Sequence, residues 1–335
     1  MPLPIILGII AAGAAVYGVA KGVDAQDTNK RAERINHEAE NILNSAQNSF
    51  KEAKENASGS LKKFGEQKLA VIESDLIPFV DEIKKIKNID VNELNTMGEL
   101  TEVTIDIESI REMQELGSMA TDMLSGLGEG AAAGALLAFG AYSAVGLLGT
   151  AGTGTAIASL SGVAASNATL AALGGGTLAA GGLGVAGGMA ILGGLIAGPA
   201  LAITGFTMSA KADENLENAK SRRAEAKKQA EQSKLAEDAC YAIGARANMF
   251  TKLLTEADKK FSVFINQMEN VINEKGTDYK NYEESEKSIL AMAWSLAVMI
   301  KTILDTPILS KDGNITEESL VTYNEMKEKT DRINI

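Results

Sequence analysis

The chain has 335 residues, 32 Lys and Arg against 44 Asp and Glu, one histidine and one cysteine, for a net charge of -12 at pH 7. A chain this acidic lacks the basic footprint that a phosphate backbone demands, so nucleic acid is excluded as an expected partner. An aromatic content of 4% argues against a large aromatic-rich enzyme core, and the Ala, Leu, Glu and Lys content favours long helices.

The opening segment PLPIILGIIAAGAAVYGVA is apolar up to Ala20 and has no basic start, so a cleaved signal is disfavoured. At about 19 residues it has the length to span a hydrocarbon core, with Lys21, Lys30, Arg31 and Arg34 favouring a cytoplasmic end. A buried helix covering other apolar surface explains residues 1–22 equally well. From 23 to 127 the chain reads as an amphipathic helical arm. Ala32, Ile35, Ala39, Ile42, Ala46, Phe50, Ala53, Ala57, Leu61 and Phe64 recur three and four apart, predicting a long helix from about Asp27 toward Asp75. Gly59 is expected to loosen it, and Pro78 to end or kink it. Between Asn88 and Ile110, Val103, Ile105 and Ile107 alternate with polar residues, so an extended stretch competes with helix before helical spacing resumes.

From Gly130 to Ala210 there is no Asp, Glu, Lys, Arg or His. Within the tract 128–210, residues 130–149 and 181–206 are each about long enough to cross a bilayer, while the Ser/Thr-rich residues between them are more polar. A Gly/Ala-rich helical hairpin is expected. Charge returns at Lys211, opening a final region, 211–335. It is expected to hold a second very long helix from about Ala212 to Ile272, a break at Gly276, an amphipathic helix carrying Ile289 to Ile303, and a short terminal helix. The predicted fold is therefore all-α, with coiled-coil-like amphipathic helices flanking the apolar hairpin.

Gly182-Leu183-Gly184-Val185-Ala186-Gly187 is a literal G-x-G-x-x-G, yet glycines precede it where a strand is needed and no acidic residue follows before Lys211. Residues 149–156, GTAGTGTA, supply no lysine for a phosphate. No cofactor is expected. Gly130 and Gly134, Gly184 and Gly188, and Gly194 and Gly198 instead lie four apart, on one helix face where a second backbone approaches closely. The pairs Gly8 with Ala12 and Ala14 with Gly18 repeat the idea around Gly13 near the N-terminus. Insertion should be marginal, because Gly, Ala, Ser and Thr dilute the Leu, Ile, Phe and Val that drive it at about -0.3 to -0.6 kcal/mol each. A tract so balanced suits storage in one state and release in another.

Catalytic chemistry finds no constellation. His37 sits among Asn and Glu on a charged face, and no Cys/His cluster offers a metal site. Cys240 makes no internal disulfide and reads as a small buried hydrophobe; Trp294, Met292 and Met299 read as core. A non-enzymatic role is expected.

The run GTAIASLSGVAASNATLAALGGGTLAAGGLGVAGGMAILGGLIAGPALAITGF, then SAKADENLENA, together with GTDYKNYEESEKSILAMAWSLAVMIKTILDTPIL, resembles a widespread set of bacterial glycine-zipper proteins over nearly the whole chain. That set implies no transferable activity. The layout of long helices around an apolar segment is loosely similar to alpha pore-forming toxins of the cytolysin A type, which implies a segment stored in the soluble form and inserted on assembly. The expectation is a protein that associates with or inserts conditionally into a bacterial inner membrane and oligomerises there, its partners being the bilayer, other copies and a protein bound by the charged arms. The competing expectation is a cytosolic helical scaffold whose Gly/Ala block is permanently buried. A third is a defence effector that permeabilises the cell.

Overall fold

The computed structural model describes residues 22–97, 103–126, 136, 139–141, 216–310 and 314–333. Among them the fold is all-α: there is no strand, and the only bridges are the isolated pairs Lys87 with Asp278 and Leu309 with Ile315. The elements are α1 (Gly22–Val71), a π turn (Ile72–Leu76), α2 (Ile77–Ile83), α3 (Val91–Met97), α4 (Ile107–Gly126), α5 (Leu216–Lys275), α6 (Glu284–Asp305) and α7 (Glu317–Arg332). Residues 1–21 of the N-terminal helix expected over 1–22, and most of the expected hairpin, lie outside the described residues.

Gly59 does not interrupt α1, which runs through it. Pro78 does not end the helical path either. The Ile77 N–H donates to the Ile72 carbonyl, five residues back, and Pro78 falls in the first turn of α2, where a missing N–H costs nothing. The sequence-ambiguous stretch resolves into α3 and a non-helical run at 103–106. There the Asn95 side chain acts as a substitute strand: its Oδ1 accepts from the Ile105 N–H at 2.7 Å and its Nδ2 donates to the Ile105 carbonyl at 2.9 Å. Gly276 (φ 80°) ends α5 in the left-handed conformation, its N–H bonding the Ile272 carbonyl at 2.9 Å.

The chain divides into two compact units. The first contains the described residues 22–47 and 216–231, where Ala39, Leu43 and Ala226 form a small core flanked by the Arg223–Glu38 ion pair at 3.0 Å. The second contains the remaining described residues and the main core. In the second unit the stretch from α1 into the π turn runs parallel to α5, because the residues joined keep a nearly constant sequence separation. It is 188 for Ser60 with Asn248 and 187 for Asp75 with Ser262. Along α5 a residue is buried at every seventh position: Ala219, Ala226, Ser233, Cys240, Ala247, Leu254, Phe261 and Met268. Burial at every seventh position is the spacing of a coiled-coil seam. The seam is built of small residues at its N-terminal end and large ones at its C-terminal end, where α5 enters the main core.

In the second unit, edge-on aromatic pairs join Phe64 to Phe250 and Phe79 to Phe261. Two of the π turn's neighbours are α2 and α4, while α3 and α7 pack on α6. α6 is the one described helix long and apolar enough to cross a membrane, and most of its apolar window is buried in this core. Two α5 side chains pin α7. Arg246 donates to Ser319 Oγ at 2.6 Å near its start, and Lys260 donates to the Thr330 and Ile333 carbonyls at 2.7 and 2.5 Å at its end.

Candidate functional site

The functional residues expected from sequence, Gly8, Gly13, Gly18, Gly130, Gly134, Gly184, Gly188, Gly194 and Gly198, all lie outside the described residues. What the structure does place is a part of the uncharged tract near its N-terminal end, Leu136 and residues 139–141, which is helical and seated in the second unit.

The seat is a crossing of two backbones. A Cβ added to Gly65 of α1 would stand 1.9 Å from the Leu136 carbonyl oxygen, and one added to Gly140 would stand 1.9 Å from that of Leu61. Each helix uses its glycine to admit the other's backbone, a geometry in which Cα–H···O contacts recur. Phe139 and Ala141 on either side are fully buried. The Ala141 carbonyl accepts the Leu309 N–H at 2.9 Å, tying this turn to the loop that follows α6.

One turn beyond Gly65 lies Lys68, with no exposed surface. Its ammonium donates to the Leu304 carbonyl at 2.9 Å and stands 4.7 Å from the Phe64 ring centroid and 5.2 Å from that of Phe139. Burial brings this amine down from 10.5 to about 7, against the pull of the neighbouring Asp305. Burial also pushes the Asp305 carboxyl up, opposed by Lys301 and Lys68. Lys301 bonds both Asp305 and Glu112 at 2.7 Å, and Asp305 Oδ1 is buried without a hydrogen-bond partner.

Two further polar clusters flank the core. At the π turn, Asp75 accepts from Ser74 and Ser262 and faces Asp258, whose carboxyl is raised to about 7 by burial and then by the like charge of Asp75. Glu93 of α3 accepts from Tyr279 at 2.9 Å and Lys287 at 2.8 Å, which hold its carboxyl below the usual range and clamp α3 to α6. Neither cluster contributes a side chain to the cavity of about 390 Å³ between α2 and α4, which is lined by Ile77, Val80, Asp81, Lys84, Met113 and Gln114 among others.

The remaining sequence-stressed residues take the places expected of them. His37 is exposed, 3.8 Å from Glu40. Cys240 is buried on the α5 seam, and Trp294 is buried with its indole N–H donating to Ser109 Oγ at 3.1 Å. No group of three or more potential metal ligands exists among the described residues. Sequence reasoning missed Gly65, Gly140 and Lys68. The signal for the lysine was legible: the apolar ladder Leu61, Phe64, Val71 and Ile72 leaves position 68 on the buried face. Gly140 lies six residues after Gly134 and so escapes a search for spacings of four. Compared with protein-family models, curated proteins and solved structures, the chain matches none.

Proposed function

We propose that this chain is a non-enzymatic, membrane-associating helical protein: a water-soluble bundle stores part of an uncharged tract, and the tract enters lipid conditionally and oligomerises there, forming a pore or disturbing the bilayer. The observation that carries the reading is the conjunction at residues 136–141. A tract without Asp, Glu, Lys, Arg or His from 130 to 210 has described residues docked in the bundle by glycine-mediated backbone contact. In lipid, small faces of this kind become association surfaces because every backbone group is satisfied within its own helix. The small-residue spacings of the tract favour the same reading, with a bacterial inner membrane, or the cytoplasm with conditional membrane association, as the location.

Flotation with phosphatidylcholine vesicles tests it. The full chain is expected to float with the vesicles and to crosslink there into higher species. Gly188→Leu with Gly194→Leu should remove the crosslinked species, because Leu blocks close helix approach. A chain that stays out of the floating fraction at every pH and salt concentration sinks the proposal. The scaffold reading then takes over, and the full burial of Phe139 and Ala141 in the bundle favours it as the alternative.

A further inference from the structure

We infer that the Lys68 ammonium is the proton-sensitive latch of this seat: proton uptake on Lys68 unseats the turn at 139–141, and proton loss locks it in place. The inference rests on the reading of 130–210 as a tract that leaves the bundle, and concerns what releases it.

The geometry makes one amine answerable for both sides of the seat. Lys68 lies one turn from the Gly65 crossing, between the ring of Phe64 on its own helix and the ring of Phe139 on the docked turn. Its third neighbour is the last turn of α6, where it bonds the Leu304 carbonyl. Among the described residues, charged groups reach it from two elements. α6 supplies Asp305, which acts on Lys68 directly, and Lys301, which bonds Asp305; α4 supplies Glu112 through Lys301. Of the docked turn's described residues, Leu136, Phe139, Gly140 and Ala141, none is titratable, and Phe139 sets its ring against the amine. With the turn seated, the Lys68 amine has no exposed surface; departure of Phe139 is the step that would open it to water.

The sign follows from linkage. A lysine held near 7 when seated and near its ordinary 10.5 when solvated takes up a proton on opening throughout that interval. Seating is therefore strongest above the upper value, weakens as pH falls toward 7, and changes no further through this group below it. Asp305, raised by burial, acts in the opposite direction at lower pH, because its protonated form suits the seated state.

Amide hydrogen exchange of Leu309, whose N–H is held by Ala141, reads the seat in water without lipid. In the full chain, its protection factor, corrected for intrinsic exchange, is expected to fall by about tenfold per pH unit from about pH 9.5 to 7.5 and to level off below. The Lys68 Cε resonance should titrate near neutrality over the same end point. Lys68→Met, which cannot be charged, should give high protection independent of pH. Lys68→Arg, which cannot lose its proton, should give low protection independent of pH. A flat wild-type profile, a Lys68 resonance that titrates near 10.5, or a Lys68→Met variant that keeps the wild-type slope overturns the latch. Neither wild-type measurement depends on a variant folding. Phosphatidylcholine flotation separates the two claims. Binding that ignores pH sinks the latch and leaves the membrane reading standing. A pH-dependent seat with no vesicle binding at any pH retains the proton-sensitive contact and removes the membrane reading.

Discussion

Along α1 the same exchange of glycine for alanine is expected to have opposite outcomes six residues apart. At Gly59 an added methyl meets nothing within 4 Å, so Gly59→Ala should stabilise the protein by about 0.5–1 kcal/mol through helix propensity alone. At Gly65 the methyl meets a carbonyl oxygen, which cannot rotate away as a flexible side chain would, so Gly65→Ala should cost about 1–3 kcal/mol. Urea unfolding of the two variants checks both signs. Asp258 provides a pH-dependent counterpart. Its folded value near 7 lies above its ordinary 3.8, so its contribution is fully present below about 4 and is lost as pH rises through 7. Asp258→Asn should flatten that decline and leave the protein about 1 kcal/mol more stable than wild type at pH 8, a figure reduced for the partial solvent access of the site. Denaturant midpoints across pH 4 to 8 measure it.

At the scale of elements, the α5 seam explains how one helix serves two environments. Ala219 and Ala226 keep a narrow contact in the first unit, while Leu254, Phe261 and Met268 fill a wide core in the second. Ala226→Leu should therefore overpack the narrow end by about 1–3 kcal/mol, seen as faster amide exchange confined to residues 216–231 and the facing part of α1. Asn95 carries a different burden. It satisfies both backbone groups of buried Ile105 where no strand is present to do so. Asn95→Ala leaves those groups without partners and should cost about 1–3 kcal/mol in a thermal or urea melt, the price of an unsatisfied buried pair.

For the whole molecule, the net charge of -12 and the uncharged tract would pull the proposed membrane encounter in opposite directions. Apolar entry is indifferent to salt, whereas the acidic helices are repelled by an anionic surface over a Debye length of about 10 Å at 0.1 M. Association with phosphatidylcholine vesicles should therefore exceed that with phosphatidylserine-containing vesicles at low salt, and the difference should close at about 1 M, where screening is complete within about 3 Å. Flotation at the two salt concentrations reads the gap directly. Equal binding to both vesicle types at low salt would mean that the acidic helices stay remote from the surface.

Helical class, the two long helices, the stop at Gly276 and the buried face of α6 were all legible in the residues, because hydrophobic spacing and left-handed glycine caps act within a few positions of the backbone. The π turn that carries the chain past Pro78 was not, since proline signals a break without saying which register repairs it. Nor was the substitution of Asn95 for a strand, although the alternation around Ile105 marked extended backbone. The uncharged tract and its small-residue spacings came from sequence alone. Tertiary structure decided that α1 and α5 run parallel, that Gly65 meets Gly140, and that Lys68 stands in the core beneath Phe139. Those three facts join residues far apart in the chain. Local periodicity says which face of a helix is buried, while the identity of what buries it depends on how distant backbones fit together.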